Sequence, residues 1–145
     1  MQKLAKKIER FLKQQSLAVL GTHGKNETYQ SLVAFTVHNG LKSILFATEK
    51  NTRKYRNIRE NPKGAVLVDN RLNKRDDFYK TIAITALGVA RETKGAERKR
   101  LLRVHETRHS AIKGFLQHRE CALFKINVRV YYFVSHFQEV QEFVV

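Results

Sequence analysis

The chain has one cysteine, one proline, seven glycines and no tryptophan in 145 residues. A single thiol, Cys121, excludes an internal disulfide and a multi-cysteine metal site, and its neighbours Ala122, Leu123 and Phe124 suggest a buried strand position. So little proline and glycine leaves no punctuation of the kind found in disordered or multi-domain chains, and no repeat or low-complexity tract is visible. One domain, 1–145, with a genuine core is expected. No apolar run approaches the roughly 18 residues of a membrane-spanning helix. The first nineteen residues are cationic and amphipathic, without an apolar secretion core or a small-residue cleavage site, so a cytoplasmic protein with no membrane partner is expected. Acidic residues are also scarce, 13 against 28 Lys and Arg, which gives a formal net charge of +15. That balance raises phosphorylated ligands, nucleic acid and anionic membranes as partners without choosing among them.

What is present is a change of hydrophobic period. Leu4, Ile8, Phe11 and Leu12 recur at helical spacing among basic residues, predicting an amphipathic opening helix. From Leu17 the pattern is strand-like: Leu17 to Thr22, a turn at Gly24-Lys25-Asn26, Tyr29 to Val37, the hairpin signal Asn39-Gly40, then Ser43 to Thr48. Further strands are predicted at Gly64 to Asp69 and at Thr81 to Arg91, separated by a charged loop from Asn70 to Lys80. Gly88 marks a bulge or a close backbone approach. A helix from Gly95 to about Thr107 and a short helical piece at Ala111 to Leu116 precede a long alternating strand around Phe124 to Tyr131, and Phe137 to Val145 gives a last strand. This order fits a mainly β fold with peripheral helices, a six- to seven-stranded antiparallel barrel with Greek-key-like order.

One segment breaks an electrostatic rule. Thr52 is a good N-cap and Asn61-Pro62 stops the helix that follows, so Arg53 and Lys54 fall in its first turn. A helix N-terminus already carries partial positive charge, and each cation there costs about 0.3–1 kcal/mol unless an anion lies between them. A strand end followed by a helix N-terminus is a ready-made phosphate site, to which Arg adds a forked donor and Lys a point charge.

Taken together, the opening helix, the strands Leu17 to Thr22 and Ser31-Leu32-Val33-Ala34-Phe35, the strand end Phe46-Ala47-Thr48, the helix start Thr52-Arg53-Lys54 and Asn61-Pro62 resemble the pyridoxamine 5′-phosphate oxidase-like family of FMN-binding split barrels. The resemblance implies FMN as cofactor, with its phosphate on Arg53 and Lys54 beside Thr52. It implies a strand edge along the flavin at Ser31, Leu32, Val33 and Ala34, contacts near the ribityl chain at Ala47 and Thr48, and a polar contact from Asn70, Arg71 or Thr81. It also implies a homodimer with FMN at the subunit interface and a flavin-dependent oxidoreductase acting on a small molecule. True vitamin B6 oxidases share a C-terminal segment with Trp, Arg and His; this chain has no Trp and ends Gln141-Glu142-Phe143-Val144-Val145, so pyridoxamine phosphate is not the expected substrate. Relatives on the same scaffold bind haem or a deazaflavin, and haem would give His105, His109 or His136 a role.

Two other readings compete. Basic residues in the first helix, in 50–63, in 71–75 and in 91–119 suggest a nucleic-acid-binding module, but they are scattered over several elements and accompany no aromatic recognition motif, so at most weak, non-specific binding is expected. His105-Glu106-Thr107-Arg108-His109 spells the H-E-x-x-H pattern of zinc proteases, with His118 or Glu120 as conceivable third ligands. Here it sits in the tail of a polar helix, with Arg108 between the histidines, and reads as an accidental surface match with no metal. Elemental analysis of the purified protein is expected to return no stoichiometric zinc; stoichiometric zinc lost in His109→Ala reverses that reading.

Overall fold

The computed structural model describes residues 2–145. Its elements follow in the order α1 (Gln2–Lys13), β1 (Leu17–Gly24), β2 (Glu27–His38), β3 (Ser43–Glu49), α2 (Arg53–Glu60), β4 (Lys63–Asp69), α3 (Asp77–Lys80), β5 (Ala83–Glu92), α4 (Gly95–Arg108), a 3-10 turn (Ser110–Ile112), α5 (Lys113–Gln117), β6 (Cys121–Ser135) and β7 (Glu139–Val144). The strands run in the order β3-β2-β1-β4-β5-β6-β7, and β3 also pairs with β6. That last pairing closes six antiparallel strands into a barrel and leaves β7 as an added strand on β6.

Two cores follow from the alternation of side chains along β3. Ile44 and Phe46 point into the barrel, where Phe46 stacks on Phe124 with ring centroids 5.2 Å apart. Leu45 and Ala47 point outward and join Leu101 and Leu102 of α4, Leu116 of α5, and Cys121 and Leu123 of β6. A strand covered on both faces reads as a continuous apolar run, which is why Ser43 to Thr48 shows no polar alternation. Helix α1 sets Ile8, Phe11 and Leu12 into the barrel core, each worth about 1.5–3 kcal/mol of burial. Across the barrel, Tyr131 donates its hydroxyl to the Leu41 carbonyl at 2.9 Å, so the polar end of a buried ring is satisfied.

Turn chemistry behaves as the sequence predicts. Asn39 and Gly40 both take left-handed backbone (φ 56° and 67°) between β2 and β3, as a tight hairpin requires. The charged stretch 70–80 is more ordered than predicted. The Asp77 carboxylate accepts the amides of Leu72 and Asn73 at 2.9 and 2.6 Å, and that ring of bonds supports the single turn α3. Local side-chain capping of this kind is invisible to hydrophobic periodicity.

On the outside of the barrel, Leu17, Leu32 and Val89 are exposed at 58, 68 and 47%. Val89 lines a groove of about 610 Å³, where Leu87 and Ala65 lie beside the polar Gln30, Lys63 and Arg129. An antiparallel sheet with a solvated face normally alternates to polar residues there, and Leu17, Leu32 and Val89 depart from that rule.

The predicted irregularity at Gly88 is a β-bulge. Leu87 faces Val130 but Gly88 faces Val128, so β6 carries Arg129 as the extra residue. A Cβ on Gly88 would collide with the Asn127 carbonyl oxygen, a backbone atom that cannot move aside. Gly88→Ala is therefore expected to cost about 1–3 kcal/mol, read as a lowered urea midpoint with little change in slope.

Candidate functional site

Strands β2 and β3 pair only from Phe35:Phe46 to His38:Ser43. Beyond that point β3 continues on β6 as far as Glu49:Cys121, while residues 27–34 of β2 pair with β1. The two strands therefore part like the arms of a fork. A cleft of about 250 Å³ lies in the opening, lined by Leu32, Val33 and Ala34 on one arm, Ala47, Thr48 and Glu49 on the other, Thr52 and Lys54 at the start of α2, and Phe115 of α5.

The end of the cleft is organised by two threonines. Thr52 has extended backbone (φ −99°, ψ 159°) and its hydroxyl accepts the Tyr55 amide at 3.3 Å, capping α2. The hydroxyls of Thr48 and Thr52 lie 2.8 Å apart and both reach the Glu49 carbonyl, at 3.2 and 2.8 Å, so one donates to that carbonyl and the other to its neighbour. The amides of Arg53 and Lys54 lie ahead of the capped one and have no intrahelical acceptors by the geometry of any helix start. No acidic residue stands in the first turn of α2 to satisfy them. Lys54 is the cation of the lining and Glu49 its carboxylate.

The remaining residues singled out in the sequence are dispersed. Arg53 lines an adjacent hollow with Tyr29, Arg56 and Asn57, its guanidinium carbon 5.2 Å from the centre of the Tyr29 ring. Ser31 shares the core-facing side of β2 with Val33 and Phe35, and its hydroxyl is buried without a hydrogen-bond partner among the described residues. Asn70 and Arg71 serve the β4–β5 connection: the Asn70 side chain accepts the Ile82 amide at 2.8 Å, and Arg71 pairs with Asp69 at 3.0 Å. Thr81 is the C-cap of α3. None of these lines the cleft of its own chain. Phe115 escaped the sequence reading; its only signal is an apolar pair, Phe115-Leu116, of which helical packing can bury just one member on a five-residue helix.

The H-E-x-x-H segment is not a surface match. His105 is fully buried, its Nδ1 is 2.8 Å from the Thr36 hydroxyl, and His109 donates from Nε2 to the Phe35 carbonyl at 2.7 Å. Both histidines thus fasten the end of α4 to β2. Arg108 between them donates to the Lys13 carbonyl at 2.9 Å and to the carbonyls of Leu12 and Gln15, closing the C-terminal end of α1. The tail of a polar helix with Arg108 between the histidines reads as surface; the fold buries the motif by turning Arg108 onto another helix end. The described residues contain no group of three metal-ligating side chains. Burial, followed by the neighbouring His109 and Arg108, lowers the His105 pKa to about 4. Its Nε2 is buried and unpartnered among the described residues, so the neutral ring with Nδ1–H on Thr36 is the form that costs least.

A family model described as pyridoxamine 5′-phosphate oxidase matches residues 4–135. Among solved structures, the chain is similar to a haem-binding protein from Mycobacterium smegmatis at 15% identity and a TM-score of 0.85, covering 97% of this chain and 57% of that one. It is also similar to HutZ, the haem storage protein of Vibrio cholerae, at 16% identity and a TM-score of 0.74, covering 96% and 92%. General Stress Protein 26 of Bacillus anthracis gives 20% identity and a TM-score of 0.73, with 98% of each chain covered. The chain therefore spans just over half the length of the mycobacterial protein, and at these identities the likeness is one of fold. No curated protein matches the chain.

His105 generates a pH prediction. Its folded pKa lies below the ordinary unfolded value of 6.5, so the unfolded chain binds the extra proton between pH 6.5 and about 4. The stability contributed by the neutral ring is present above pH 6.5 and lost as pH falls towards 4, with a total on the order of 3 kcal/mol. Urea titrations at stepped pH should show that slope in the wild type and a reduced one in His105→Gln; equal slopes would remove His105 as its cause.

Proposed function

Because the chain belongs to the pyridoxamine 5′-phosphate oxidase family, we propose that it binds FMN in the fork between β2 and β3 and works as a homodimeric flavin-dependent oxidoreductase. The observation that carries this reading is the fork itself. It ends at a capped helix whose first amides lack acceptors, with Lys54 beside them, and its walls are two strand edges that have left each other. Those groups suit a phosphate at one end and a flat, hydrogen-bonding ring along the edge.

In this reading Lys54 and the α2 amides hold the phosphate, and Arg53 adds charge from the adjacent hollow. Thr48 and Thr52 fix the backbone entering the helix, while residues 31–34 and Ala47 run along the ribityl chain and ring. Phe115 shields the opening from water. Bound flavin would supply hydride or electron transfer, and the protein's share is to position it and exclude solvent. The cleft of one chain, about 250 Å³, is smaller than the roughly 300–1,000 Å³ of a full ligand pocket, which supports its completion by a second copy. The exposed apolar face bearing Leu17, Leu32 and Val89 adjoins the cleft through Leu32 and supports an isologous dimer. Asn70, Arg71 and Thr81 would reach FMN only from that second copy.

FMN is preferred to haem because neither His105 nor His109 lines the cleft; their rings fasten α4 to β2 instead. Only His136, exposed on the β6–β7 turn, is left. Among the described residues no helix is long and apolar enough to cross a membrane.

Purified protein, or protein reconstituted with FMN, should show flavin absorbance. Lys54→Ala should weaken FMN binding by about tenfold to a hundredfold, the loss of one charge-assisted hydrogen bond or two. Protein that stays colourless with added FMN overturns the proposal, and a Soret band on adding haemin instead transfers the site to haem.

A further inference from the structure

The fold brings Arg91 of β5 and Lys125 of β6 beside the basic residues of α4. Arg91 at the end of β5 makes a two-pronged pair with Glu97 of α4 at 2.8 and 3.0 Å, and Lys125 of β6 approaches the same carboxylate at 3.7 Å. Arg100, three residues further along α4, is close enough to lower the Glu97 pKa alongside Arg91 and Lys125. Beside them a shallow hollow of about 530 Å³ on the outer face of α4 is lined by Ala96, Lys99, Arg100, Arg103, Val104 and Thr107, with no carboxylate. Lys99, Arg100 and Arg103 are exposed and make no ion pair among the described residues. The nearest other acid on the helix, Glu106, is bonded to Gln117.

Like charges three and four residues apart destabilise a helix, so this face is unfavourable by itself and gains from an anion laid across it. The hollow is open and has no walls to enclose a small molecule, which suits an extended polyanion. The exposed large apolar residues of the molecule lie elsewhere, at positions such as Leu32, Phe78 and Phe137, so α4 lacks the apolar anchors with which a helix enters a lipid interface. Phosphates spaced along a nucleic-acid backbone match a rigid line of cations without base-reading groups.

We propose that the outer face of α4, with Lys99, Arg100 and Arg103 at its centre and Lys125 at its edge, binds the phosphate backbone of nucleic acid without reading sequence. This surface is separate from the fork and does not depend on the cofactor proposed there.

Fluorescence anisotropy with a labelled DNA duplex of about 20 base pairs, over a series of salt concentrations, tests it. The full chain should bind with log K falling against log salt at a slope of about −3 or steeper. The exposed triple variant Lys99→Glu, Arg100→Glu, Arg103→Glu should lose at least about a hundredfold in affinity at low salt and about three from that slope. The variant Lys3→Glu, Lys6→Glu, Arg10→Glu removes the same net charge from α1 and should change affinity by less than about threefold, as should Lys54→Ala. Glutamine replacements at 99, 100 and 103 repeat the test should the glutamates disturb the helix. Equal losses from α1 and α4 would reduce the effect to bulk charge and overturn the proposal. So would a slope unchanged in the α4 variants, or binding to phosphatidylserine vesicles with none to the duplex.

Discussion

The β3–β6 ladder is the pairing on which the rest of the molecule depends. By running from Ser43:Asn127 to Glu49:Cys121 it closes the barrel, and it carries β3 on past Phe46, where the pairing with β2 ends. A strand has two edges, and one edge of β3 is spent on β6 along its whole length. The other edge meets β2 over four residues only, and beyond Phe46 it stands open as one wall of the cleft. The same ladder brings Cys121 and Leu123 beneath α4 and α5, forming the second small core that holds Phe115 over the opening. Barrel closure, cleft and cover are therefore consequences of one set of backbone hydrogen bonds.

Much of this was legible in the sequence, and the parts that were not share a cause. Local rules worked: Thr52 as an N-cap, Asn39-Gly40 as a hairpin, Gly88 as a bulge and Asn61-Pro62 as a helix stop each follow from the conformational preferences of one or two residues. The strand order was readable as a class because six β-patterned segments joined by short turns have few closed arrangements. Long-range placement was not. Lys54 and Arg53 are neighbours at a helix start, yet successive helical side chains diverge by about 100°, and the structure sends one to the cleft and the other across Tyr29. The bonds of Asn70 and Arg71 within the β4–β5 connection could not be read because loop geometry there is fixed by Asp77, seven and six residues away.

The histidine motif shows how a short pattern can be reused. Spacing of four places both rings on one side of α4 whether the ligand is zinc or a strand. What decides the use is the partner facing that side. Here it is β2, whose outward Thr36 hydroxyl and Phe35 carbonyl each bond one ring nitrogen, so the spacing serves to fasten the helix to the strand. Arg108, which looked out of place inside a zinc motif, is the residue that makes structural sense of it.

The bonds from Arg108 to the end of α1 have a consequence for the order in which the molecule is made. They join positions 93 to 96 residues apart, and Phe133, against which Lys7 lies at 5.2 Å, comes later still. During synthesis the first helix therefore leaves the ribosome long before its anchors exist. A cationic amphipathic segment with Ile8, Phe11 and Leu12 uncovered must wait for most of the chain to be translated. Helix α1 is secured only once Arg108 and Phe133 have been made, and until then the exposure of its apolar stripe is set by the speed of translation.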